Sequence, residues 1–133
     1  MKSISKLKKE LDKWFSLFIR LRNATDTGLT QCFTCHKIAH YKQMQCGHFQ
    51  SRRHLPTRFC EINCQVQCPK CNIFSQGEQF IFHLNLDAKY GEETSIELQH
   101  KAMRSVKFSR IDYEEKISYY KNIVKNLKKE KNF

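Results

Sequence analysis

The sequence predicts an α+β domain in which a small metal-bound core of short strands sits between amphipathic helices. Three observations carry this. Four cysteines stand in two CxxC pairs, Cys32/Cys35 and Cys68/Cys71, with 32 residues between them. Apolar residues recur at helical spacing before the first pair and again near the C-terminus. Between the pairs lie two short stretches of mixed character, joined by an arginine-rich loop that contains Pro56.

The first helix spans Ser3 to about Arg22. Ile4, Leu7, Leu11, Trp14, Phe15, Phe18 and Leu21 form its apolar stripe, with Lys6, Lys8, Lys9 and Lys13 facing outward. Asn23 to Leu29, with Asp26 and Gly28, ends it and delivers the chain to Cys32. Met44–Ser51 and Phe59–Val66 read as two paired strands. After Cys71, Phe74, Phe80, Ile81, Leu84 and Ala88 lie at near-helical intervals as far as Tyr90, with Gly91 as the stop. A shorter helix is expected over Glu92–Met103. Ser109 then caps a helix whose stripe is Ile111, Ile117, Tyr120, Val124 and Leu127. The organisation is one domain, 1–133, divided into an N-terminal helix (1–29), a metal-bound core (30–75) and C-terminal helices (76–133).

Two CxxC knuckles brought together give a closed tetrahedral four-thiolate site. Such a site suits Zn²⁺, supplies folding free energy and leaves no open position for chemistry. A staple of this kind helps a chain of 133 residues with 40% hydrophobic content. The cysteine count of seven is odd, and Met1 to Leu11 is charged throughout, unlike a secretory signal. No disulfides are expected, and Cys46, Cys60 and Cys64 read as buried free thiols. No apolar run approaches the roughly 18 residues that span a bilayer, so a soluble cytoplasmic protein with no membrane partner is expected.

The formal charge is +11. A zinc tetrathiolate adds about −2, leaving about +9 on the folded chain. Lys37, Lys42, Arg52, Arg53, Arg58 and Lys70 face a single acid, Glu61, over residues 36 to 75. A polyanionic partner follows from this balance. Arg52, Arg53 and Arg58 are the candidate phosphate contacts. No base-reading signature is present, so shape and phosphate geometry are the expected cues. His48 is the best candidate for a general base, because its ordinary pKa of about 6.5 suits proton abstraction near neutral pH. Gly47 before it removes bulk where a substrate backbone would approach. Taken alone, His48 also fits a further zinc ligand or a surface histidine.

The order His48, Asn63, then a CxxC with Asn72 attached resembles the HNH nucleases of the ββα-metal (His-Me finger) group, which sit on a treble-clef zinc frame. The resemblance implies His48 as general base, Asn63 fixing the hairpin, and Asn72 binding a catalytic ion, Mg²⁺ or Mn²⁺. An Asn in the final place is similar to the phage endonuclease VII branch. Over most of the chain, WFSLFIRLR before the first CxxC, then GHF, TRF, and N followed by QCPKCN with a Gly shortly after, is similar to the NinG (Rap) recombination proteins of lambdoid phages. That resemblance implies a structure-selective endonuclease cutting branched DNA such as Holliday junctions and D-loops in an infected bacterium. Many HNH centres place Asp or His just before the base; Gly47 offers no ligand, and Glu61 is the only carboxylate near His48 in sequence. The alternatives are a non-catalytic zinc-bound nucleic-acid module and an HNH endonuclease with a sequence-specific linear site. Symmetric cutting of a junction favours a homodimer, for which the apolar faces of the terminal helices offer surface.

Overall fold

The computed structural model describes all residues, Met1–Phe133. Helix α1 covers Ile4–Leu21, and the Ser3 side chain caps it by accepting from the Lys6 amide at 3.1 Å. Strands β1 (Leu29–Gln31) and β2 (Ile38–His40) form an antiparallel hairpin whose loop holds the first CxxC. A 3₁₀ turn at Tyr41–Gln43 leads into β3 (Gln45–His48). After the one-turn helix α2 (Leu55–Arg58), β4 (Cys64–Gln67) pairs antiparallel with β3. A π-helical turn, Lys70–Phe74, carries the second half of the second CxxC and Asn72. Three helices follow: α3 (Gln79–Tyr90), α4 (Thr94–Ala102) and α5 (Arg110–Glu130). The fold is thus α+β, with two small antiparallel sheets among helices.

Helix α5 starts with the expected Ser109 cap, which becomes a capping box: Ser109 accepts from the Asp112 amide and Asp112 accepts from the Ser109 amide. It runs parallel to α1. Arg110 reaches the Lys2 carbonyl at one end and Lys131 the Ala24 carbonyl at the other. The two apolar stripes bury each other, with Phe15 and Tyr120 edge to face at 5.0 Å. The faces expected to be offered for dimer pairing are therefore consumed within one chain. The stripe on α5 is Tyr113, Ile117, Tyr120 and Val124, whereas Ile111 is exposed.

Two other expectations are corrected. The β3 and β4 strands are only four residues each, and Phe59–Asn63 is turn, because Asn63 folds that segment back on itself with side-chain bonds. Helix α3 begins at Gln79 and buries Phe82 and Leu86, not Phe80, Ile81 and Leu84. The buried pair meets Leu98 of α4, with Phe33 and Phe49 alongside. Both choices have helical spacing, so only the partner surface selects the face. No helix is long and apolar enough to cross a membrane.

Candidate polar cleft and metal cluster

The four CxxC cysteines converge as predicted. All four sulfur atoms lie within 4.8 Å of one another, and Cys35 Sγ and Cys68 Sγ are 3.6 Å apart. A tetrahedral zinc site with Zn–S bonds of about 2.3 Å has sulfur–sulfur edges of about 3.8 Å, so the donor set fits. The Cys68 amide donates to Cys32 Sγ at 3.3 Å and the Thr34 hydroxyl lies 3.5 Å from it. Burial alone would raise the Cys32 thiol, but these bonds and the amides of Thr34 and Cys35 outweigh it and bring it down to about 6. Cys32, Cys68 and Cys71 are buried, and Met44 and Val66 complete their small core.

Strand β3 stands beside this cluster and delivers His48 at its end, opposite Cys64. His48 Nε2 lies 2.9 Å from the Arg58 carbonyl oxygen. A carbonyl only accepts, so Nε2 carries the proton and a neutral ring presents Nδ1 as its acceptor. Burial holds the His48 pKa below its ordinary value, the Arg58 carbonyl working in the opposite direction and Arg52 in the same one. The neutral, base-competent ring therefore persists below neutral pH.

Cys46, His48 and Cys64 also place ligand atoms within 4.8 Å of one another. Burial pushes the Cys64 thiol well above its ordinary range, which keeps it neutral in the metal-free protein. Cys46 and Cys60 are half-buried.

His48 lines a cleft of about 390 Å³ together with Asn72, Gln45, Arg52, Arg20 and Asp12. Asn72 Nδ2 donates to Gln45 Oε1 at 2.8 Å, which turns Asn72 Oδ1 away as an uncommitted acceptor. Asp12 comes from α1, where Asp12, Ser16 and Arg20 form one stripe at four-residue spacing, and all three line the cleft. Its carboxylate accepts from Arg52 at 3.0 Å and from Arg58 through both oxygens. The sequence signal for it was one of two acids, with Glu10, on a lysine-rich helix. Glu61, the carboxylate singled out from sequence, instead accepts from the Tyr120 hydroxyl at 2.9 Å and does not line the cleft.

Asn63 is wholly buried and does not line the His48 cleft. Its Oδ1 accepts from the Gln50 amide at 2.7 Å, and Nδ2 donates to the carbonyls of Gln50 and Thr57 at 3.1 and 3.0 Å. It pins the loop that carries the arginines and His48's carbonyl partner. Of those arginines, Arg52 lines the cleft and Arg58 anchors Asp12, while Arg53 is exposed and donates to His54. Phe49 packs on Phe82 and Phe59 on Phe15, so both serve the core.

Gly47 has a different cause from the one expected. A Cβ there would sit 1.9 Å from Gln67 Oε1, so the space is filled by the protein's own buried Gln67 rather than kept for substrate. Gln67 Nε2 donates to Thr34 Oγ1 and the Gly77 carbonyl, tying β4 to the first knuckle and the loop before α3. Gly47→Ala is expected to destabilise the protein by about 1–3 kcal/mol in urea unfolding. Adding Gln67→Ala should relieve the overlap and give less than the sum of the two single losses. Strict additivity would show that the two positions do not press on each other.

A β-hairpin clamped beside a four-cysteine cluster, with a polar cleft between it and a basic helix, defines a small α+β protein whose four sulfur donors fit a structural metal. The family model described as Bacteriophage Lambda NinG protein matches residues 1–130. The chain belongs to the NinG family of phage recombination proteins. Comparison with curated proteins and with solved structures gives no match.

Proposed function

We propose that the chain is a metal-dependent, structure-selective DNA endonuclease acting on branched recombination intermediates such as Holliday junctions and D-loops. The observation that carries this is His48: a neutral ring, fixed through Nε2 by a backbone carbonyl, in a cleft shared with Asn72 and Arg52. The β3–β4 hairpin followed by the turn bearing Asn72 supports the ββα-metal reading. The net charge of +11 and the family support a DNA substrate.

In this reading His48 Nδ1 takes the proton of a water that attacks phosphorus. Arg52 pairs with the scissile phosphate and stabilises charge developing on its oxygens. Asn72 Oδ1 would bind Mg²⁺ or Mn²⁺, which supplies Lewis-acid stabilisation of the leaving oxygen. Asn63 positions the loop without touching substrate. We further infer a homodimer, because cutting two strands of a junction calls for two sites. With α1 and α5 paired within the chain, the apolar surface left for that contact includes the exposed Phe74, Phe80 and Leu84. Light scattering of the eluting peak that gives a monomer at working concentration would remove the dimer.

The test compares wild type and His48→Ala on matched linear, flap, D-loop and four-way-junction DNA with each ion. Branched DNA should be nicked by wild type, and the variant should lose about 10²–10⁴-fold in rate with zinc content and DNA binding intact. The lowered His48 pKa places the acid limb of kcat/KM below about pH 6.5, since the neutral base survives to lower pH. Tight binding with no cleavage of any substrate in either ion would reject the nuclease and leave the zinc-bound binding module.

A further inference from the structure

We propose that Asp12 is the carboxylate of the catalytic centre, joining Asn72 in holding the divalent ion once a DNA phosphate has drawn Arg52 away from it. This rests on the nuclease reading above.

Mg²⁺ and Mn²⁺ favour hard oxygen ligands, normally with at least one carboxylate. The β3 strand supplies none: position 47 is Gly, position 45 is Gln, and Gln45 is tied to Asn72. Glu61 is engaged by Tyr120. Among the residues lining the cleft with His48 and Asn72, Asp12 is the only acid. Helix α1 therefore contributes directly to the site rather than only to the core beneath it.

The two arginines on Asp12 are held differently. Arg58 is built in: its side chain is 13% exposed, Nη1 donates to the Arg52 carbonyl, and its guanidinium lies over Phe59. Arg52 is 59% exposed, and its only hydrogen-bond partner through the guanidinium is Asp12. A phosphate entering the cleft competes for Arg52 by forming the stronger charge-assisted pair. Its departure relieves Asp12 Oδ2 of one cationic partner. Without DNA, Arg20, Arg52 and Arg58 outnumber Asp12 around the cleft and repel a cation. The phosphate reduces that excess and brings an oxygen ligand of its own, so ion and DNA binding reinforce each other, each raising the other's affinity by the same factor.

Electron paramagnetic resonance of free Mn²⁺ tests this in the His48→Ala chain, which is expected to bind junction DNA without cutting it. With a four-way junction present, this chain should bind Mn²⁺ about tenfold or more tightly than without DNA. Adding Asp12→Asn should cost about tenfold in that Mn²⁺ affinity, while junction affinity measured without divalent ion stays equal or rises, because a negative charge has been removed. Asp12→Glu should recover part of the loss. A folded Asp12→Asn chain that binds Mn²⁺ as tightly as its parent overturns the role of Asp12 and leaves the nuclease reading standing. Absence of junction-dependent Mn²⁺ from the parent overturns the ion centre as well.

Discussion

Stripping the metal from the four-cysteine cluster is expected to abolish the cooperative unfolding transition of the centre and the cleft with it. The core around the cluster consists of Cys32, Cys68 and Cys71 with Met44 and Val66, so three of its five buried residues are ligands. Without an ion there is little apolar surface to hold the β1–β2 hairpin, which has three paired positions, against β4. Structural zinc is worth about 10–16 kcal/mol of apparent binding energy near neutral pH, comparable with the whole stability of a domain at about 5–15 kcal/mol. One zinc per chain should be released to a chelator, with loss of the thermal transition, and Cys68→Ser should behave the same way. Helix content should fall less, because α1 and α5 bury each other through their own core.

The pH dependence has a defined sign. Burial raises the thiol pKa of Cys35 and pushes that of Cys71 up to about 12, so both hold protons at neutral pH in the metal-free protein. Zinc must displace those protons, and its apparent affinity should therefore fall as pH falls. A melting curve unchanged by complete zinc removal would show that the cysteines are not a structural site.

The second large effect is expected at Asn63. Its amide makes three hydrogen bonds in a wholly buried setting, one accepted from Gln50 and two donated to the carbonyls of Gln50 and Thr57. Asn63→Ala leaves the Gln50 amide and carbonyl without partners, leaves the Thr57 carbonyl with the Cys60 amide alone, and should cost about 3–5 kcal/mol. Asn63→Asp should be worse, because an ionised carboxylate would face two carbonyl oxygens with no water to separate them. Denaturant unfolding measures both. Cleavage should be lost in parallel, since the same loop carries Arg52, Arg58 and the carbonyl that fixes His48. A stable, fully folded Asn63→Asp chain would show that the amide's donor end is not needed.

The sequence was most legible where the responsible interactions are local. Helix α1 is written in its own periodicity, and Ser109 announces α5 because a cap acts within one turn. The loop closed by Cys32 and Cys35 lies within a few residues, so the CxxC spacing reports its own geometry. The face of α3 was not legible, because Phe80, Ile81 and Leu84 satisfy helical spacing as well as Phe82 and Leu86 do. The position of α4 and Phe33 makes the choice.

The candidate cleft divides along the same line. His48 and Asn72 stand out in sequence because each is attached to a recognisable element, a strand end and a CxxC. Asp12 does not, because nothing near it in the chain marks a carboxylate on a basic helix as part of a site.

By itself the sequence determined the four-cysteine clamp, the amphipathic helices, the basic centre and the identity of the candidate base. Each of these depends on spacing within a few residues or on composition, which are properties of the chain. Only the tertiary structure decided that Gly47 makes room for Gln67 and that Asp12 shares a cleft with His48 and Asn72. Those facts arise where α1, the β3–β4 hairpin and the turn after Cys68 come together. Contacts between segments 20 to 60 residues apart are set by how buried faces pack, and the packing has no signature in either segment alone.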